Sequence, residues 1–205
     1  MMRCRRTFRA LPLLVVAACA PLPEDEGEDS QPSTLDNVEY PAPRTDLVTR
    51  VGRDDAIDIA TWNIENFPNN PTTPSVVADL IASLDLDVVA VQEIRDTAAF
   101  EELVARLPGF RSVLSAHTYS DGSYQKVGYL YRSDVVTLSD AVSLFQGSGY
   151  EFPRPPLQVS LQVIGTDVAF TLITLHLKAG FTADDIERRR GAAALLAGHV
   201  RGMID

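Results

Sequence analysis

Cysteine is nearly absent. The 205 residues hold two, Cys4 and Cys19. Both lie at the N-terminus, so the remainder of the chain can form no disulfide and must be stabilised by a packed core. Basic residues are also scarce, with 18 Lys+Arg against 28 Asp+Glu. That balance argues against loose polyanion binding, which needs a basic footprint. It leaves open an enzyme acting on phosphate, because a divalent cation can bridge two anions. Leu11–Ala18, the apolar stretch near the N-terminus, is too short to span a bilayer. No internal repeat is visible.

The N-terminus does carry a pattern. Arg3, Arg5, Arg6 and Arg9 precede Leu11–Ala18 with no acid between them, which matches the basic and apolar regions of a secretory signal. The segment ends Val16-Ala17-Ala18-Cys19, which resembles a bacterial lipobox. That resemblance implies removal of residues 1–18, lipidation of Cys19, and an exported, membrane-anchored protein facing the periplasm or cell surface. The rival reading is ordinary cleavage with Cys19 incidental. Removing residues 1–18 takes four of the 18 basic residues and none of the 28 acidic ones, which deepens the net charge from −10 to −14. Residues 19–53 then read as an acidic, Pro-rich tether, disordered and extended by charge, or else wrapped on the domain. Residues 54–205 form one domain.

Within that domain, Leu84–Glu93 is the organising stretch. Val88–Val91 is a short apolar run, suited to a strand buried on both faces. It stops at Gln92-Glu93, and a carboxylate at the end of a buried strand is costly without a compensating metal or partner. Upstream, Ile57–Trp62 alternates as a strand. Thr73 and Pro74 open a helix whose Val76, Val77, Leu80, Ile81 and Leu84 share a face. Strand, helix and strand make a βαβ unit with parallel strands. Asn63 and Glu93 are thereby expected at the same end of the sheet, where α/β ligand sites gather. Further on the pattern predicts a helix over 97–107 and strands over 110–114, 126–132 and 135–144. A hairpin over 157–176 turns at Gly165-Thr166-Asp167, and a helix over 182–204 turns Ile186, Ala193, Leu196, Val200 and Met203 inward. Asp184–Arg188 and Asp185–Arg189 are expected as i,i+4 pairs along that helix.

Four stretches line up in order: Ala60-Thr61-Trp62-Asn63-Ile64, Val89-Ala90-Val91-Gln92-Glu93-Ile94-Arg95, Phe152-Pro153-Arg154-Pro155-Pro156 and Thr174-Leu175-His176-Leu177-Lys178. Together they resemble the endonuclease/exonuclease/phosphatase superfamily, over about Ile57–Leu196. Ser123-Tyr124 and the Gln-Glu-Ile-Arg-Asp run lean towards its DNase I-like members. The resemblance implies a DNase I-like four-layer α/β sandwich, two mixed β-sheets flanked by helices. It implies that Glu93 binds a divalent metal, Mg²⁺ or alternatively Mn²⁺ or Ca²⁺, and that Asn63 orients groups beside it. It implies that His176 touches the scissile phosphate and Arg154 the substrate phosphate. Tyr124 is implied as a phosphate contact, and Arg95 as reaching nucleic-acid backbone or the site.

Taken singly, each residue has a plainer reading. Asn63 can cap a turn, His176 can be a core histidine bonded to backbone, Arg154 can sit on a surface loop, and Tyr124 can be loop packing. Lys178 reads as a rim charge, and His117 and His199 as surface or helix residues. The function expected is a metal-dependent phosphodiester hydrolase, a nuclease first. The alternatives are a hydrolase of small phosphoesters or phospholipid headgroups, and a non-catalytic binding remnant. The family's Gly-Asp-Phe-Asn-like and Ser-Asp-His-like strand ends do not occur in these 205 residues. The fold is therefore expected to lack its C-terminal strands. The chain alone is expected to be nearly inactive unless a complementing C-terminal segment is supplied.

Overall fold

The computed structural model describes residues 38–204; Cys4, Cys19 and the first part of the expected tether lie outside them. The elements run β1 (Ile59–Phe67), α1 (Thr73–Leu84), β2 (Val88–Ile94), α2 (Thr97–Ala105), β3 (Phe110–Leu114), β4 (Lys126–Arg132), β5 (Val136–Ser143), β6 (Leu157–Val163), β7 (Ala169–Thr174) and α3 (Ala183–Ile204). One sheet has the order β1-β2-β4-β3, and the other β5-β6-β7. β1 and β2 are parallel, as the βαβ pattern requires. All other pairings are antiparallel.

β2 is buried on both faces, and its alternation sorts two cores. Val89 and Val91 face Val77, Ile81, Phe100 and Leu103 of α1 and α2. Val88 and Ala90 face the second sheet, where Leu157, Val159, Leu161 and Val163 of β6 meet Tyr129 and Tyr131 of β4. The layers are thus helices, mixed sheet and antiparallel sheet, with α3 against the outer side of the second sheet. His199 reaches Gln158 Oε1 at 2.7 Å there and meets the Phe145 ring edge-on. His199 therefore anchors a helix rather than facing solvent. Between the β1 and β7 edges lies a cleft of about 380 Å³, lined by Ile59, Thr61, Tyr129 and Leu172 among others.

α3 is rotated from the face its apolar residues suggest. Asp185 and Ala192 are buried, whereas Ile186 is 37% exposed. The cause is polar. Asp185 accepts from Thr182 N–H and Oγ1 and pairs with Lys178, which draws it inward. Nor do the expected i,i+4 pairs form. Asp184 accepts from the Tyr150 hydroxyl, Arg188 donates to Tyr150 O, and Arg189 donates to the carbonyls of Lys178 and Gly180. These ties clamp the loop 177–182, which follows His176, onto the helix.

Residues 38–53, placed in the tether, lie along the surface. Arg44 N–H donates to Asp79, Leu47 N–H to Ser83, and Val51 and Gly52 N–H to Leu84 O at the end of α1. Those last two bonds satisfy a helix-terminal carbonyl. Gly52 is required by the approach, since a Cβ there would lie 1.7 Å from Asp85 O.

Candidate active site

Strand register explains why distant residues meet. Asn63 pairs with Gln92, Lys126 with Ile94, and Leu157 with Thr174. The ends of β1, β2 and β7 and the beginnings of β4 and β6 therefore share one rim of the sandwich. Two polar contacts hold the sheets together there. Gln92, buried and also bonded to Thr61 of its own sheet, donates to Thr174 Oγ1 at 3.0 Å, and Tyr129 OH donates to Leu157 O at 3.1 Å.

The rim is irregular where Glu93 sits. Register shifts interrupt β1 between Asn63 and Phe67, and β2 between Val91 and Ile94. Glu93 has φ 64°, Asn66 52° and Glu65 21°. Left-handed backbone at a residue with a Cβ costs about 1–2 kcal/mol, and such strain persists where surrounding contacts enforce it. Bulges re-aim side chains. Here they bring Asn63 Nδ2 to Glu93 Oε1 at 3.0 Å and Asn66 N–H to Glu93 Oε2 at 3.0 Å. Asn63 Oδ1 accepts from Glu65 N–H, which fixes the amide's orientation.

His176 lies just past β7, with Nε2 3.2 Å from Glu93 Oε1; the two side chains are 18% and 15% exposed. Arg154 precedes β6. Its Nη1 donates to Gln125 Oε1 at 2.8 Å and its Nη2 to His176 O and Leu177 O at 3.5 and 3.2 Å. Its Nε is buried without a hydrogen-bond partner. All the partners of this guanidinium are neutral dipoles. Asn63, Glu93, Arg154 and His176, separated by up to 113 positions in sequence, thus form one cluster.

Tyr124 and Arg95 are outside this hydrogen-bonded set. Tyr124 OH accepts from Thr97 N–H at 3.2 Å at the start of α2, so its described bonds are those of loop packing. Arg95 is exposed at the rim, and its guanidinium makes no ion pair among the described residues. Sequence reasoning passed over Gln125 and Asn66. Gln125 Nε2 donates to Asn66 Oδ1 at 2.9 Å, so the pair links Arg154 to the Glu93 loop. Only adjacency to Tyr124 could have signalled Gln125.

Burial pushes Glu93 upward, but the Asn63 and Asn66 bonds and the nearby His176 and Arg154 outweigh it, holding the carboxyl below its ordinary range. Burial and then Arg154 push His176 down, against Glu93. Burial, Lys126 and Arg154 push His117 down as well. At neutral pH the site is therefore an ionised carboxylate beside a neutral imidazole.

The histidines predict an acid sensitivity. A group with a depressed folded pKa binds protons preferentially when unfolded, so its stabilisation is full above an unfolded value of about 6.5 and is lost as pH falls toward the folded pKa. The melting temperature should drop as pH falls below about 6.5. His117→Gln, made outside the Glu93 cluster, should flatten part of that drop. An identical slope in the variant would refute the assignment.

Glu93 fits a hard divalent cation. Two hydrogen bonds, one on each oxygen, engage the carboxylate, which leaves a lone-pair position free on Oε2. Among the described residues no group of three or more His, Cys, Asp or Glu is gathered for a metal. One carboxylate suits Mg²⁺, which keeps several waters and takes one or two carboxylates plus substrate phosphate.

A family model described as Endonuclease/Exonuclease/phosphatase family matches residues 60–199. An endonuclease/exonuclease/phosphatase from Bacteroides vulgatus superposes with a TM-score of 0.56 at 19% identity, over 72% of this chain and 61% of that one. The mannosyl-6-phosphatase of Bacteroides thetaiotaomicron gives 0.56 at 17%, over 72% and 60%. TDP2 of D. rerio, complexed with single-strand DNA product, gives 0.51 at 15%, over 71% and 54%. The chain thus spans 54–61% of these structures' lengths. No curated protein matches it. Identities this low bear on fold alone, but the family match runs from β1 into α3, and on that extent the chain belongs to the endonuclease/exonuclease/phosphatase family.

Proposed function

We propose that this chain carries the metal- and phosphate-binding groups of a metal-dependent phosphodiesterase acting on nucleic acid. The family is one of metal-dependent phosphoester hydrolases, typically using Mg²⁺. The observation that supports the reading is Arg154, a half-buried cation with neutral partners and a donor left unused. A buried donor without an acceptor is costly, and a substrate phosphate oxygen would satisfy it. Arginine's planar fork matches phosphate oxygens.

In this proposal Glu93, held by Asn63 and Asn66, would ligate the metal. A bound divalent cation supplies charge that polarises a phosphoryl oxygen. Neutral His176 donates a hydrogen bond from Nε2 as charge develops on the phosphate. Arg154 orients the phosphate, since phosphoryl transfer depends mainly on positioning and charge stabilisation. Arg95 lies exposed at the rim, where it would meet flanking backbone.

The test is Mg²⁺- or Mn²⁺-dependent cleavage of plasmid DNA, by the chain alone and with a family-like C-terminal segment supplied in trans, set against a panel of sugar and inositol phosphates. Cleavage of DNA alone supports the nuclease. Turnover of small phosphoesters alone would transfer the proposal to that class, which the acidic net charge of −10 also suits. Binding of neither metal nor phosphate would leave a non-catalytic remnant.

The proposed location is a membrane surface, through lipid on Cys19. Stable anchoring takes two acyl signals, since one is marginal. Among the described residues no helix is long and apolar enough to cross a membrane. Wild type should sediment with membranes, and Cys19→Ala should be released; a wholly soluble wild type would refute the lipobox reading.

A further inference from the structure

We propose that Gln125 is a positioning residue that fixes the two halves of the site, the guanidinium of Arg154 and the Glu93 loop, relative to each other. The proposal rests on the reading of Arg154 as an anion binder.

Gln125 immediately precedes β4, and its side chain uses both ends. Oε1 accepts from Arg154 Nη1 at 2.8 Å, and Nε2 donates to Asn66 Oδ1 at 2.9 Å. The next link is main chain, Asn66 N–H to Glu93 Oε2 at 3.0 Å. Asn66 stands at φ 52°, a conformation that asparagine adopts more readily than most residues, here with its side chain held by Gln125. Releasing Oδ1 frees this residue to relax and withdraws its N–H from the carboxylate.

The amide is the group this position needs. It accepts from a cation and donates to a carbonyl at once, without charge. An apolar isostere would do neither. A glutamate would accept from Arg154 but could not donate to Asn66 while ionised. It would also neutralise the guanidinium that the anion requires, and add negative charge beside Glu93.

These alternatives have opposite signatures, which separates positioning from mere packing. The probes are inorganic sulfate and Mn²⁺, each titrated onto the full chain at pH 7.5. In Gln125→Met, sulfate affinity should fall about tenfold, the loss of one charge-assisted hydrogen bond, and Mn²⁺ affinity should fall severalfold. In Gln125→Glu, sulfate affinity should fall at least as far while Mn²⁺ affinity rises. A structural role alone would lower both in both variants. Arg154→Met is the control on the underlying reading. If it binds sulfate as wild type does, the anion-binding assignment itself fails. If it loses sulfate while both Gln125 variants bind within twofold of wild type, the positioning role is wrong. Should Gln125→Met fail to fold, the opposed shifts in Gln125→Glu still decide: a fall in both affinities there overturns the proposal.

Discussion

Replacing Arg154 by methionine is expected to weaken sulfate or phosphate binding about a hundredfold while the protein still melts cooperatively. Hydrogen bonds to charged groups contribute about 1.5–3 kcal/mol each, and a bidentate grip on an anion uses two. Losing about 3 kcal/mol is roughly a hundredfold at 1.36 kcal/mol per factor of ten. Stability should change less, because opposing effects meet. The variant removes a buried donor that lacks a partner, but strands Gln125 Oε1 and the carbonyl oxygens of His176 and Leu177. Arg154→Lys should recover only part of the affinity. A lysine keeps the charge but not the fork. Isothermal titration with sulfate, alongside thermal melts, checks both points. Equal affinity in wild type and Arg154→Met would remove the main support for a phosphate site.

Glu93→Gln is expected to abolish divalent-cation binding. The amide preserves shape and can keep one acceptor for Asn63 or Asn66. It forfeits the single negative charge of the cluster, and hard cations depend on charged oxygen ligands. Mn²⁺ titration should show an affinity loss beyond a hundredfold. Any metal-dependent hydrolysis should fall on the order of a thousandfold, since the metal contributes several kcal/mol to the transition state. Asn63→Ala should give a smaller defect, about 10–100-fold, typical of a group that orients a ligand. Wild-type metal binding should persist well into the acid range, because Glu93 is held below the ordinary carboxylate value and is protonated only as pH falls through it. Undiminished Mn²⁺ affinity in Glu93→Gln would show that the cation sits elsewhere.

Local pattern alone determined the elements of this protein. The doubly buried run at Val88–Val91, the helical face of α1 and the alternation of β6 each follow from side-chain periodicity, and the structure places strands and helices there. The parallel pairing of β1 and β2 follows too, because a right-handed crossover permits it and a helix of this length spans it. Asn63 and Glu93 were legible for that reason: both stand where the regular β1–β2 ladder of one βαβ unit breaks. The resemblance supplied Arg154 and His176, but periodicity says nothing of where two later loops meet an earlier sheet. Only the stacking of the second sheet, with Leu157 paired to Thr174 and Gln92 bonded to Thr174, brings them to Glu93. The rotation of α3 was likewise hidden. A helical wheel ranks Ile186 above Asp185, yet Thr182 and Lys178 satisfy the aspartate and make its burial favourable. Gln125 was invisible for the same reason. A glutamine carries no periodic signal, and its role arises only where tertiary packing sets an amide between a cation and a carbonyl oxygen.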